Sequence, residues 1–392
     1  MERGLISTLF LFKVYDCMVR IKNSDTFLVF CIYSSMKNLF IIFGGASVEH
    51  DVSIVTALQT YNELKDKYKV GLLYCTKDNL IYLVNKTVPA DYIDKESLLK
   101  KSKQVAIFNK GLYCVSNKKL KYIRSVDCVI NCCHGGVGED GTLKGVFDFN
   151  NIRCTSACMQ SSAVCMDKEY AKLVANSLDI PIVEYMVVDK FNRDLQNASL
   201  LGDNLIVKPC GLGSSIGVVK SDITSLGENI DIVLHLDDKV LIEREVSPLV
   251  EYNCAAVRDG DNIILSQIEQ PVNNCDILTF EDKYISVDKT RIIPAQIDED
   301  KQNLIYDYTK RIYEHLNLNG VVRIDYLYDQ SNDTIYLNEI NTIPGSLAYY
   351  LFEGMGITYI KLMEILMNNA SAKPLQPYFS STILENLKNI GK

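Results

Sequence analysis

The sequence of 392 residues lacks the features that mark several large classes of protein. It has no low-complexity tract, and its 47% hydrophobic and 23% charged residues exclude a disordered chain, a collagen-like chain and a coiled coil. It has no basic stripe, and its formal charge of -8 argues against a nucleic-acid partner. The 13 cysteines are odd in number and scattered, which excludes a disulfide-stapled miniprotein and indicates reduced thiols in a cytoplasm. A globular protein of two or three domains remains.

A long hydrophobic run is also missing. The apolar stretches Gly4–Phe12 and Phe27–Tyr33 are too short to span a membrane, and the second lacks the small-residue cleavage pattern of a signal peptide. We therefore expect residues 1–35 to be a dispensable extension, the fold to begin at Met36, and the protein to have no membrane partner.

Alternating strands and helices predict an open α/β domain over residues 36–159. A strand at Leu39–Phe43, a glycine turn and a helix at Ser53–Leu64 form its first unit, and Val70–Cys75 and Val126–Cys133 read as further strands.

The pattern changes near Met159. A helix at Lys168–Asn176, a strand at Val183–Val188 and a hairpin of Leu205–Lys208 with Ile216–Lys220 predict a small central domain over residues 160–242. Residues 243–392 are predicted to form a third, α+β domain, and the strand-rich region begins at Val240. Its predicted elements are strands at Val240–Arg244, Tyr252–Val257, Ile263–Glu269, Val321–Tyr328 and Ile335–Ile340, and a helix at Lys301–Leu316.

The loop Pro209–Gly217 is a candidate phosphate site. Its glycines and serines would let backbone amides approach an anion closely, and Lys208 ends the preceding strand where a cation could reach the same anion. The loop has neither the P-loop pattern nor a glycine-rich dinucleotide fingerprint. A plain hairpin turn is the alternative interpretation.

A second candidate joins the pair Arg323 and Asp325 to the pair Glu339 and Asn341. Side chains two apart share one face of a strand, and the turn formers at 329–333 predict a hairpin that makes the two pairs neighbours. Carboxylate and amide oxygens suit Mg²⁺ that bridges nucleotide phosphates. A solvent-facing surface with an ordinary ion pair is the alternative.

Two glycine-containing turns are further candidates, at Gly44–Ser53 and at His134–Gly141. Helix capping explains Asp51 but does not require Glu49. A zinc site of Cys128, Cys132, Cys133 and His134 is disfavoured, because adjacent Cys132 and Cys133 would point opposite ways on a strand.

Taken in chain order, these segments resemble the D-alanyl-D-alanine ligases, a branch of the ATP-grasp enzymes, from about Met36 to about Met367. The matching motifs are Gly44-Gly45-x-Ser47-x-Glu49, the stretch His134–Gly141, Met166-Asp167-Lys168, Val207-Lys208-Pro209 with Gly213-Ser214-Ser215-x-Gly217, Lys283-Tyr284, Arg323-x-Asp325, and Asn338-Glu339-x-Asn341-Thr342-x-Pro344-Gly345. The resemblance implies a three-domain ATP-grasp ligase with an open α/β N-terminal domain.

The resemblance also implies a nucleotide site between the central and third domains. The residues implied to hold ATP are Lys168, Lys208, Ser215, Glu243, Val246, Glu251 and the lid residue Lys283. Those implied to hold two Mg²⁺ (or Mn²⁺) ions are Asp325, Glu339 and Asn341.

By the same resemblance, Glu49 would take the ammonium of a first D-alanine, with His134 near its carboxylate and Ser214 and Tyr284 bonded to Glu49. The reaction would proceed through D-alanyl phosphate, with Arg323 and the amide of Gly345 stabilising the oxyanion. The product would be a dipeptide for peptidoglycan, made by a cytoplasmic enzyme that is expected to be a homodimer.

The second-substrate pocket departs from the commonest family pattern. Where many members carry His-Ser-Leu, this chain has Tyr349, Tyr350 and Leu351. This variant resembles ligases of glycopeptide resistance that join D-alanine to D-serine, so D-alanine and D-serine both stand as second substrates. Lys283 and Tyr284 argue against D-lactate.

Two other functions remain open. One is an ATP-grasp carboxylate–amine ligase of different substrate, such as a biotin carboxylase-like enzyme, although the Glu49 motif favours the D-alanine ligases. The other is a noncatalytic nucleotide-binding regulator, which would be expected to lack at least one of Lys208, Arg323, Asp325, Glu339 and Asn341. All five are present.

Overall fold

The described residues of the computed structural model, 38–84, 95–272 and 291–372, begin with an eight-stranded mixed sheet. Its strands are β1 (Leu39–Gly44), β2 (Val70–Cys75), β3 (Ile81–Val84), β4 (Lys103–Phe108), β5 (Gly111–Ser116), β6 (Lys119–Ser125), β7 (Cys128–Asn131) and β8 (Arg153–Cys154), in the spatial order β6-β5-β4-β3-β2-β1-β7-β8. Strands β1, β2, β7 and β8 are parallel, and β2 to β6 form an antiparallel meander. The apolar strand β1 is buried throughout, as a central parallel strand requires.

Helices α1 (His50–Leu64), α2 (Lys95–Lys100), α3 (Gly136–Glu139) and α4 (Thr142–Phe149) accompany this sheet. Helix α1 follows the turn after β1 and packs Ile54, Ala57 and Leu58 into the core. Because β1 and β7 are parallel neighbours, the turns after them meet at one edge of the sheet.

A second, four-stranded antiparallel sheet follows. Its strands are β9 (Tyr185–Asp189), β10 (Asn204–Pro209), β11 (Val219–Asp222) and β12 (Lys239–Arg244), in the order β11-β10-β12-β9, and its helices are α5 (Met159–Met166), α6 (Lys168–Ser177) and α7 (Leu226–Leu234), with a 3₁₀ turn at Ala198–Leu201. Asp167 caps α6 by accepting hydrogen bonds from the amides of Glu169 and Tyr170, which makes Lys168 the first helical residue.

The third sheet is built on two long strands. It contains β13 (Leu249–Asp259), β14 (Asn262–Leu265), β17 (Val321–Asp329) and β18 (Thr334–Asn341) in the order β14-β13-β17-β18, and β15 (Gln270–Pro271) pairs separately with β16 (Arg291–Ile292). Helix α8 (Glu299–His315) packs Ile305, Ile312 and Tyr313 against this sheet. Asp298 caps α8 by accepting from the amide of Lys301.

The end of the described chain returns to the first sheet. After β18 come a 3₁₀ turn (Gly345–Ala348), α9 (Tyr350–Glu353) and α10 (Tyr359–Asn369). Met363 and Met367 of α10 share a core with Leu39 and Ile41 of β1. The turn after β18 is thereby held beside the turns that follow β1 and β7.

The fold class and most elements are confirmed, with three differences. Strand β12 pairs with β10 and β9 and so lies in the second sheet, whereas Val240–Arg244 was predicted for the third domain. Strand β11 begins at Val219 and not at Ile216, because Ser214, Ser215 and Gly217 have positive φ and extend the loop. The predicted strand Ile263–Glu269 ends at Leu265, where β14 ends.

Other predicted boundaries also shift by two or three residues. Helix α1 begins at His50, three residues before the prediction, and β7 is shorter than the predicted Val126–Cys133. The domain limits at residues 36–159, 160–242 and 243–392 stay a prediction, and the extension 1–35 lies outside the described residues. Among the described residues, no helix is both long and apolar enough to cross a bilayer.

Candidate active site

A cleft lies between the second and third sheets and encloses about 1010 Å³, including solvent at its mouth. Eight residues predicted for the nucleotide and metal sites line it: Lys168, Lys208, Ser215, Glu243, Val246, Glu251, Asp325 and Glu339. These residues come from α6, β10, the glycine-rich loop at 209–217, β12, the segment between β12 and β13, and strands β13, β17 and β18. The structure therefore brings together in one place what the sequence distributes over more than 170 positions.

Two lysines line the cleft near strands β17 and β18, which carry Asp325 and Glu339 and are called the acidic hairpin below. Lys168 donates to the carbonyl oxygen of Leu212 at 2.5 Å, and its Nζ is 3.8 Å from Oε2 of Glu339. Lys208 donates to Oδ1 of Asn338 at 3.1 Å. Both side chains are largely buried, so their charges act in a medium that screens them less than bulk water does.

Glu243 joins Lys208 to a second, unpredicted lysine. Its Oε2 is 2.5 Å from Nζ of Lys208, and its Oε1 is 2.5 Å from Nζ of Lys172. Burial alone would raise the pKa of Glu243, but the two lysines together lower it to about 2, so the carboxylate is ionised. Burial lowers the pKa of Lys172, and Glu243 opposes that shift.

The hairpin brings its two polar pairs together as the sequence predicts, with an irregularity between Asp325 and Tyr326 that sets the register. In the β17–β18 ladder Arg323 lies opposite Asn341, and Asp325 lies opposite Glu339. Arg323 holds Asp325 in a bidentate ion pair, with both N···O distances 2.7 Å, and Asn341 donates to Oδ2 of Asp325 at 3.1 Å. Burial would lower the pKa of Arg323, but Asp325 raises it well above its ordinary value.

This hairpin fits Mg²⁺ that enters together with a phosphate ligand. Asp325, Glu339 and Asn341 offer hard oxygen donors, and Mg²⁺ usually combines one or two carboxylates with water and substrate phosphates. Within residues 38–84, 95–272 and 291–372, no three His, Cys, Asp or Glu side chains come together as a metal cluster. The same finding leaves the zinc alternative without support.

The glycine-rich loop touches the first domain at Glu49. Ser214 donates a short hydrogen bond to Oε1 of Glu49. Gly135 has φ of +65°, and a Cβ there would lie 2.5 Å from Oγ of Ser47 and 2.7 Å from Oε2 of Glu49, so a larger residue would be strained and would displace both side chains. In the described structure Glu49 makes no capping bond to α1, which it precedes, so helix capping does not explain this residue.

His134 lies next to this contact but bonds to protein atoms. Its Nδ1 is 2.5 Å from the carbonyl oxygen of Ile343, and its Nε2 is 2.7 Å from Oγ1 of Thr56. Since a carbonyl only accepts, Nδ1 carries the proton, and Thr56 donates to Nε2. Thr56 also accepts from the amide of Ser346 at 3.2 Å. Burial lowers the pKa of His134, although Glu49 opposes the shift.

Glu139 joins the loop of Gly135 to the turn at Ile343. It belongs to the stretch His134–Gly141, where no role was predicted for it. It accepts from the amide of Gly135 at 3.0 Å and from the amide of Ile343 at 2.9 Å. Burial and the nearby Glu49 raise its pKa to about 7, against the effect of these amides. His134 and Glu139 therefore set the position of the turn that carries Gly345.

The three residues after Ala348 occupy different environments. Tyr350 donates to Oε2 of Glu269 at 3.1 Å, and the Arg291 guanidinium lies 4.5 Å from its ring centre. Tyr349 packs its ring 4.8 Å from that of Tyr359. Leu351 is fully buried in the core, and its predicted contact with the second substrate stays a prediction.

Two predicted residues, Lys283 and Tyr284, lie outside the described residues. Sequence reasoning missed Lys172, Asn338, Glu269 and Thr56 as members of the site. A signal existed for Lys172, which is four residues after Lys168 and so shares its helix face. The partners of Glu269 come from distant segments and leave no local signal.

Family models match most of the chain. Residues 38–157 match the D-Ala D-Ala ligase N-terminus, and residues 174–368 match the D-Ala D-Ala ligase C-terminus. The D-alanine–D-alanine ligase of Thermosipho africanus is 36% identical over 346 residues, which covers 86% of this chain and 93% of that protein.

Solved structures agree with this match. The D-alanine–D-alanine ligase of Helicobacter pylori superposes with a TM-score of 0.70 at 29% identity, covering 86% of this chain and 99% of that one. The D-Ala:D-Ser ligase VanG of Enterococcus faecalis superposes with a TM-score of 0.72 at 26% identity, covering 85% and 98%. The resemblance found in the motifs is thus confirmed, and the chain belongs to the D-alanine–D-alanine ligase family.

Proposed function

We propose that this protein joins D-alanine to a second D-amino acid, using ATP and passing through D-alanyl phosphate. The observation that carries the proposal is the contact between Ser214 and Glu49. It sets a carboxylate suited to a substrate ammonium directly against the loop that closes on the phosphate cleft. An amino acid and a nucleotide held by these two elements would meet at their reacting ends.

The nucleotide occupies the cleft between the second and third sheets. Lys168, Lys208 and the loop at Ser215 hold its phosphates, while Glu243, Val246 and Glu251 hold the adenine and ribose. All six residues line the cleft, and the two lysines supply cations that neutralise transferring phosphate.

Asp325, Glu339 and Asn341 would hold two Mg²⁺ or Mn²⁺ ions, and these ions would neutralise charge on the phosphates. The ion pair between Arg323 and Asp325 keeps the arginine in a fixed orientation on the face that these ligands share. Arg323 is therefore preorganised before any substrate arrives.

Glu49 binds the ammonium of the first D-alanine, and the carboxylate of that substrate attacks the γ-phosphate of ATP. The product is D-alanyl phosphate and ADP. The amine of the second amino acid then attacks the acyl carbonyl, and phosphate leaves with the broken C–O bond. Arg323 and the amide of Gly345 stabilise the oxyanion that forms in this second step.

His134 supports this chemistry through the turn after β18. Both of its ring nitrogens are engaged, by Ile343 and by Thr56. Its role is to position the Gly345 amide, in addition to lying near the carboxylate of the first substrate.

D-alanine is the first choice for the second substrate, and D-serine is a second candidate. The D-serine candidate rests on Tyr350, whose hydroxyl is held by Glu269 with its oxygen still able to accept a hydrogen bond. A placed hydrogen-bond partner discriminates a hydroxyl group far more strongly than an apolar pocket does. The likeness to the D-Ala:D-Ser ligase fold at 26% identity supports keeping this candidate.

The dipeptide would serve peptidoglycan synthesis in the cytoplasm, and the enzyme would act as a homodimer. Lys283 and Tyr284 would close over the site and limit hydrolysis of the acyl phosphate.

The test is phosphate release with D-alanine alone and with D-alanine plus D-serine, with the products identified by mass. We expect D-alanyl-D-alanine in the first case and both dipeptides in the second. D-lactate, supplied at equal concentration, should not give the main product. A depsipeptide as main product would overturn the amino-acid acceptor, and a large excess of the D-serine dipeptide would reverse only the preference.

A further inference from the structure

Three buried charges lie in a row at the nucleotide cleft. Glu243 stands between Lys172 and Lys208 and is 2.5 Å from the ammonium of each. The side chain of Lys172 is fully buried, and that of Glu243 is 4% exposed. In the described structure, Lys208 and Glu243 line the cleft, whereas Lys172 lies behind them.

Lys172 changes the charge balance between Glu243 and Lys208. A buried carboxylate 2.5 Å from Lys208 would by itself form a neutral pair with it, and a neutral pair attracts phosphate weakly. With Lys172 on its other oxygen, Glu243 is shared between two cations. With both lysines protonated, the cluster of two lysines and one glutamate carries a net charge of +1, and Lys208 is the cation of the cluster that lines the cleft.

We propose that Lys172 is a positioning residue that neutralises Glu243, so that Lys208 retains its charge for nucleotide phosphates. The inference rests on the proposed nucleotide site and adds to it a residue outside that site. Loss of Lys172 should weaken phosphate binding and leave adenine and ribose binding nearly unchanged, because Glu243 itself stays in place.

The experiment measures the dissociation constants of ATP, ADP, AMP and adenosine for the full chain by calorimetry. The variants are K172M, which keeps an apolar side chain of similar length, and the control K144M. Lys144 is also a buried lysine, with its Nζ 2.5 Å from Asp148 and its side chain 3% exposed, but it lies in α4 of the first domain. The control therefore reports the effect of removing a buried, ion-paired lysine away from the cleft.

We expect K172M to weaken ATP binding about tenfold, the scale of one charge-assisted hydrogen bond from Lys208 to phosphate, and adenosine binding less than about threefold. ADP and AMP should fall between, in order of phosphate number, and K144M should change none of the four. Equal weakening of all four ligands, or no weakening, would overturn the inference. A wild-type protein that binds no ATP would instead overturn the proposed function, and this is seen before any variant is compared.

A second pair of variants keeps the test decisive if K172M does not fold. In E243Q the carboxylate charge is gone, so Lys172 has nothing to neutralise. The ratio of ATP to adenosine affinity should then agree within about threefold between E243Q and the double variant K172M/E243Q. A tenfold lower ratio in the double variant would show that Lys172 acts by another route and would overturn the inference.

Discussion

Glu139 should make the stability of the protein depend on pH. This buried carboxyl joins the loop of Gly135 to the turn at Ile343, and burial with the nearby Glu49 raises its pKa to about 7 from an ordinary 4.5. Because its pKa is higher in the folded state, the native protein binds the proton more tightly than the unfolded chain does. Stability from this group is therefore fully present below pH 4.5 and is lost as pH rises through 7.

The pKa difference corresponds to about 3 kcal/mol in the free energy of unfolding, and most of it is lost between pH 5 and pH 8. The variant E139Q cannot titrate. It should be less stable than the wild type at pH 5, because an amide group replaces one acceptor facing Gly135 or Ile343, and this deficit should shrink towards pH 8.

Urea unfolding of both proteins at pH 5, 6, 7 and 8 measures the effect. The wild type should lose about 2 to 3 kcal/mol more than E139Q over this range. Parallel stability curves for the two proteins would refute the reasoning, and so would a deficit of E139Q that grows with pH.

Three further predictions concern the cleft and the chain start. E339Q removes one carboxylate of the acidic hairpin, so ATP turnover should fall by orders of magnitude. Unchanged turnover at saturating Mg²⁺ would show that the hairpin is an ordinary polar surface and not a metal site. S214A removes the hydrogen bond to Glu49, so KM for D-alanine should rise about tenfold. Equal kinetics of S214A and wild type would show that this contact does not contribute to substrate binding. A chain that starts at Met36 should keep its fold and turnover, and loss of soluble, active enzyme would contradict this expectation.

The acidic hairpin shows what the sequence could predict. Its two strands alternate with a period of two, and turn formers join them, so local pattern predicts that the pair Arg323 and Asp325 lies beside the pair Glu339 and Asn341. The irregularity between Asp325 and Tyr326, which places Asp325 directly opposite Glu339, is seen only in the structure. Local pattern also predicts the places of two lysines. Lys168 follows the capping residue Asp167, and Lys208 lies at the end of an apolar strand.

Features that depend on distant pairing could not be predicted. Strand β12 reads as an ordinary apolar strand, and nothing in its own residues says that it pairs with β10 and not with β13. Leu351 follows two tyrosines in a motif position, yet its side chain belongs to the core that α10 forms with the first sheet. The role of Glu269 depends on Tyr350, 81 residues away, and is visible only in three dimensions.

The central claim is that this site activates the carboxylate of D-alanine by phosphorylation. The most direct measurement uses D-alanine labelled with ¹⁸O in its carboxylate, with ATP and Mg²⁺, and follows the isotope in the inorganic phosphate by mass. The account predicts that each phosphate released with dipeptide carries one ¹⁸O atom, because the bridging oxygen of D-alanyl phosphate leaves with the phosphoryl group. Dipeptide formed together with unlabelled phosphate would contradict the account.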